Sequence, residues 1–166
     1  MRPHQIIAAM SQEKFEQLLT KLNDENPDVI RGTTAAAAQI LKFRPKFLMK
    51  QPPAKRMKSI KQAISRANAN HLAEELVAVY FLKCRLPLLT EWLDLMGLEH
   101  EDGILTQEEV PCPDAAEVEA KVKEYRAMGD DEDRELLLQV FSGQAAIDWP
   151  ALDALLAAEA VETPTA

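Results

Sequence analysis

The apolar stretch from Asn70 to Leu98, NHLAEELVAVYFLKCRLPLLTEWLDLMGL, constrains the fold of this chain more than any other feature. Its longest uninterrupted apolar run, Leu76 to Leu82, is seven residues, far below the roughly 20 needed to span a bilayer. The stretch therefore has to be buried by protein. Over His71–Arg85, Leu72, Leu76, Val79, Phe81 and Leu82 spread apolar surface round most of a helix. Such a helix needs neighbours on most sides. The run VAVYFL alone would also fit a strand; the flanks AEEL and LKCR continue as helix, so helix is the reading taken. Asn70 is expected to cap it. Pro87 cannot continue it and should kink or restart the chain. Leu88–Met96 then carries Leu89, Trp92, Leu93 and Met96 on one side. Gly97 suits a left-handed ending, with Leu98 folding back on Leu93.

The remaining segments also carry helical periodicity. Ser11 should cap an amphipathic helix over Gln12–Leu22, with a short helix at Gln5–Met10 before it. Thr33 or Thr34 is expected to cap the alanine-rich segment that follows, and Pro45 to end it at Arg44. Lys46–Lys50 reads as one turn that inserts Phe47 and Leu48 into the core. Pro53 suits the first turn of a helix over Ala54–Arg66, with Met57, Ile60 and Ile64 as its apolar stripe. Glu99–Pro113 reads as an acidic loop with a short extended piece at Gly103–Leu105. Asp114, then Asp130 or Asp131, then Asp148 open three further helices. Their apolar sets are Ala115, Val118, Val122, Tyr125 and Met128, then Leu136, Leu137, Val140 and Phe141, then Leu152, Leu155 and Leu156. The prediction is an all-α, bundle-like domain of seven or eight helices over residues 1–160, with a disordered tail at 161–166. No period of 20 to 50 residues supports a repeat architecture.

Charge divides this expected domain. Between Val29 and Ala73 there are ten basic residues and no acid; from Glu91 onward there are 20 acids and four bases. The expected organisation is a basic part at 29–73, a central apolar part at 70–98 and an acidic part at 99–160. Such asymmetry points to a charged partner, or to two parts of one chain that attract each other. Lys55, Arg56, Lys58, Lys61 and Arg66, on the helix after Pro53, are the candidate contact residues. Trp149 joins them as a possible interface anchor, weighed evenly against core packing.

Other chemistry finds little support. The five glycines are scattered, mostly at helix ends, and build no phosphate loop or nucleophile elbow. His4, His71 and His100 share no ligand spacing with Cys84 or Cys112, so neither a metal nor a cofactor is expected. Gly103 fits the turn glycine of an EF-hand loop. The first ligand position would then be Leu98, however, and Pro111 and Pro113 block the exit helix, so the match is taken as chance. His100, among Glu99, Glu101 and Asp102, reads as a solvated loop histidine.

Two cysteines and the lack of a signal-peptide core suggest the cytoplasm. The functional expectation is a non-catalytic module that binds another protein, or a second copy of itself, through charged surfaces. A nucleic-acid-associated protein using the helix over 54–66 is the second reading and a small helical enzyme the third; no membrane partner is expected. The turn at Asn68–Asn70 resembles that of a helix-turn-helix, but Glu74 and Glu75 would repel phosphates in a groove.

Overall fold

In a computed structural model of the chain, residues 1–144 and 147–162 are described. They form ten α-helices, one 3-10 turn and a two-stranded hairpin, an all-α architecture. The short segments before Ser11 and after Pro45 stand as helices of their own. No helix among the described residues is long and apolar enough to cross a membrane.

The chain packs as two compact units, one of Arg2–Arg85 and one beginning at Leu86. The seam lies inside the apolar stretch, so each half of that stretch is core to a different unit. Helix geometry explains the position. A proline ring at 87 clashes with the carbonyl of Lys83 if the helix runs through, and the preceding helix ends at Cys84. Pro87 then falls in the first turn of a new helix, where its missing N–H has no intrahelical partner to lose.

The amino-terminal unit comprises α1 (Pro3–Ala9), α2 (Gln12–Glu25), α3 (Pro27–Ile40), α4 (Pro45–Lys50), α5 (Pro53–Ile64), the 3-10 turn Ala67–Ala69, and α6 (Asn70–Cys84). The α6 helix packs against α1 and α2, and α5 against α1, α2 and α3. Ile7, Phe15, Leu18, Leu22, Leu48, Ile60, Ile64, Leu76, Val77, Tyr80 and Phe81 form its core. Ser11 caps α2 as expected, its hydroxyl accepting the Lys14 amide at 3.1 Å.

Four expectations fail in this unit, the first being a helix end: α3 stops at Ile40, short of the Arg44 expected from Pro45, because the chain turns left-handed at Lys42. Thr33 and Thr34 lie within α3, which opens at Pro27; the Thr34 hydroxyl donates to the Ile30 carbonyl instead. Asn70 is not a cap, because it is already helical; its Oδ1 accepts from the His4 ring Nδ1 at 2.7 Å and ties α6 to α1. Of the pair expected to enter the core from α4, Leu48 is fully buried and Phe47 is 54% exposed. A six-residue helix with one face on the protein can bury only one of three consecutive apolar side chains well.

The carboxy-terminal unit comprises α7 (Leu86–Leu95), β1 (His100–Glu101), β2 (Ile104–Leu105), α8 (Ala115–Ala127), α9 (Asp133–Ser142) and α10 (Pro150–Glu162). An aromatic chain forms its centre: Trp92 stacks edge-to-face on Tyr125 and Phe141, and Phe141 on Trp149, at centroid distances of 5.1–5.8 Å. The Tyr125 hydroxyl donates to the Leu88 carbonyl at 2.9 Å. Burial pushes that phenol well above its ordinary pKa, so it stays protonated and a donor. Asp114 caps α8 by accepting the Glu117 amide. Asp131 accepts the Asp133 amide at the start of α9.

Gly97 adopts φ +67°, and the Leu98 amide reaches the Leu93 carbonyl at 2.9 Å, the expected Schellman ending. The extended piece is half of an antiparallel hairpin. Its partner strand is β1, and Asp102 and Gly103 both take positive φ, as a type I′ turn requires. This hairpin occupies the loop weighed against an EF-hand. Of the expected tail, Val161 and Glu162 belong to α10, and 163–166 lie outside the described residues.

Candidate interaction surface on the basic unit

The division into units is also a division of charge. Residues 2–85 carry 15 Lys and Arg against seven Asp and Glu, a net charge of +8. From Leu86 onward, four bases meet 20 acids, a net of −16.

The units use their minority and majority charges differently. All four cations of the acidic unit are paired within it. Arg126 bridges Glu135 (2.5 Å) and Glu159 (2.8 Å), Arg134 reaches Glu91 (2.8 Å), Lys121 reaches Glu124 and Lys123 reaches Glu119. Arg134 is buried, with its guanidinium carbon 4.6 Å from the Tyr125 ring centre. The Glu159 and Glu135 carboxylates hold the Arg126 guanidinium above its ordinary pKa, and Arg126 in turn holds Glu159 below the usual carboxylate range. In the basic unit, by contrast, none of Lys42, Arg44, Lys46, Lys50, Lys55, Arg56, Lys58, Lys61 and Arg66 has a carboxylate within ion-pair distance among the described residues.

The five residues expected on α5 and just beyond it do two different jobs. Arg56 donates to the Met49 carbonyl (3.1 Å), Lys61 to the Ala8 carbonyl (3.4 Å) and Arg66 to the Ile40 carbonyl (3.3 Å). All three acceptors lie in the last turns of helices, where carbonyls lack intrahelical partners and the dipole favours a cation. These three side chains tie α5 and the turn after it to α4, α1 and α3. Lys55 and Lys58 face solvent and make no such tie.

The structure adds a second set that the periodicity did not single out. From Lys42 to Lys50, every residue except Leu48 is exposed. Phe43 and Phe47 meet edge-to-face with centroids 5.3 Å apart, yet remain 39% and 54% exposed, and Met49 is 51% exposed. Lys42, Arg44, Lys46 and Lys50 alternate with them along the chain. Buried Leu48 anchors α4 from beneath. The corner entering α4 is a Schellman ending of α3: the Phe43 amide donates to the Ala38 carbonyl (2.8 Å) and the Lys42 amide to the Gln39 carbonyl (3.1 Å). Lys42 stands where such endings favour glycine, at φ +58°. A lysine there carries a backbone strain of about 1–2 kcal/mol.

Trp149 leaves the candidate set. It is 1% exposed, stacks on Phe141, and its indole N–H donates to the Val110 carbonyl at 3.1 Å. A side chain packed in the core of its own unit cannot anchor a partner. His100 is held in place too: its Nδ1 accepts the Gly103 amide and its Nε2 donates to Asp94 at 2.9 Å.

Among the grooves of the basic unit are two between its helices. One of about 520 Å³ runs between α3 and α6 and includes Asn26, Thr33, Leu72 and Glu75; one of about 220 Å³ lies between α2, α3 and α5. Neither includes a residue from Lys42 to Lys50. Comparison with protein-family models, curated proteins and solved structures found no match to this chain.

Proposed function

We propose that this chain is a non-catalytic interaction module that binds an acidic macromolecule on its basic unit. The observation that carries this reading is the run of basic side chains from Lys42 to Arg66 without carboxylate partners among the described residues, on a unit of net charge +8. A partner's acidic groups would supply the counter-charge that no carboxylate within ion-pair distance supplies. Lys42, Arg44, Lys46, Lys50, Lys55 and Lys58 form the contact surface, and Arg56, Lys61 and Arg66 hold that surface in shape. The chain's overall charge of −8 does not prevent this. At physiological salt, fields between exposed groups are screened beyond about 8–10 Å, so a close partner senses the local cations. The thiols of Cys84 and Cys112 are both free, which suits a reducing compartment such as the cytoplasm.

Chromatography of the full chain on immobilised heparin, a generic polyanion, tests the reading. At low salt the protein should be retained despite its acidic pI of about 4.9. The double reversal Lys55→Glu/Lys58→Glu should elute at lower salt. Passage of the folded wild-type chain without retention would overturn the reading.

A further inference from the structure

We infer that the corner from Lys42 to Lys50 is a binding site for single-stranded nucleic acid, with Phe43 and Phe47 as base-stacking surfaces and Lys42, Arg44, Lys46 and Lys50 as phosphate contacts. The inference rests on the reading of the basic unit as an acceptor of acidic macromolecules and names the partner.

Single exposed apolar side chains are common, but a contiguous exposed apolar patch marks a binding surface. Here two phenylalanines lie side by side, in contact with each other, on a nine-residue segment with four cations and no acid. Single-stranded nucleic acid has the matching alternation: a planar apolar base and an anionic phosphate in every repeat. Proteins that bind it without sequence preference combine aromatic platforms with a cationic track, because every base has a face to stack. Local strain points to the same place. Lys42 holds a left-handed backbone conformation in which glycine would be cheaper, and its charge is thereby presented next to Phe43.

Two other acidic partners fit less well. Duplex DNA is read by a helix or ribbon laid in the major groove. The helix at this corner has six residues, and α6 carries Glu74 and Glu75 in its early turns. An acidic amphipathic peptide helix docks its apolar face in a groove. Neither of the two grooves described above is lined by Phe43, Phe47 or Met49, so the apolar side chains of this corner form an exposed ridge rather than the wall of either groove.

The test is fluorescence anisotropy of a labelled oligothymidylate of about 20 nucleotides, long enough to cover single-module site sizes. It is titrated with the full chain at low and moderate salt. Binding should weaken steeply as salt rises, since phosphate contacts release counterions. Phe43→Ala/Phe47→Ala should weaken binding by about 30-fold or more, the effect of losing two stacked bases. Lys46→Glu/Lys50→Glu should weaken it further. Circular dichroism confirms that each variant is folded. Phe47→Leu keeps apolar bulk without an aromatic face and should bind as poorly as Phe47→Ala, whereas Phe47→Trp should bind at least as tightly as wild type.

The inference is overturned if the folded double alanine variant binds as tightly as wild type, or if blunt duplex of equal length binds as well as the single strand. It is also overturned if polyglutamate binds and the oligonucleotide does not, which would make the partner an acidic protein. Retention on heparin without oligonucleotide binding removes this inference alone; loss of both removes the reading beneath it as well.

Discussion

The Oδ1 of Asn70 accepts two hydrogen bonds from His4, one from the ring Nδ1 at 2.7 Å and one from the backbone amide at 3.3 Å. The two residues are 66 positions apart, and the pair joins the first turns of α1 and α6. His4 is 9% exposed, so both donors depend on this one oxygen rather than on bulk water. Asn70→Ala leaves them without it. The expected loss is about 1–2 kcal/mol in urea unfolding monitored by circular dichroism. A loss within the error of the fit would mean that the pair contributes nothing to stability.

Lys42 presents a trade between stability and contact. Lys42→Gly relieves the left-handed strain but adds entropy to the unfolded chain, so a net gain of about 0.5–1 kcal/mol is expected. The same change removes one cation from the corner, and the variant should leave heparin at lower salt than wild type. A higher melting temperature together with earlier elution is the expected pair of results. Earlier elution with lower stability would mean that the strain assignment is wrong.

Acid should weaken the acidic unit through Glu159. Its hydrogen bonds from Arg126 lower its folded-state pKa from an ordinary 4.5, so the folded chain holds the charged form more strongly than the unfolded chain does. That contribution is complete above the ordinary value and is lost as pH falls through the lower, folded value. Glu159→Gln removes it. Between about pH 6 and about pH 3, wild type should therefore lose more stability than the glutamine variant. Parallel stability curves would contradict this, with urea midpoints as the readout.

Several elements were legible because one local signal decided them. Ser11 and Asp114 sit before apolar-periodic runs and cap them. Gly97 marks the end of α7 because glycine pays no penalty at positive φ. The same ending at Lys42 was hidden because lysine does not advertise a left-handed position. Pro27 opens α3 yet reads equally as a stop for the helix before it, which hides the start of α3 in the sequence.

Tertiary placement decided the rest. Phe47, Leu48 and Met49 are adjacent apolar residues in one short helix, and periodicity over so few positions cannot choose which one faces inward. The fold chose Leu48, and that choice created the exposed aromatic pair. Trp149 was undecided until the chain brought the Val110 carbonyl within 3.1 Å of its indole N–H. The charge segregation was visible in the sequence. The division of α5 cations between helix-end carbonyls and solvent was not, because it depends on which helix ends lie near them.

The most direct test of the basic unit as the binding surface is an amide NMR titration of the isotope-labelled full chain with a short heparin oligosaccharide at low salt. The expected result is a set of shifts centred on residues 42–58, including Phe43, Phe47 and Lys58, with the amides of α8, α9 and α10 unchanged. Shifts centred on the carboxy-terminal unit, or no shifts at saturating ligand, would contradict it.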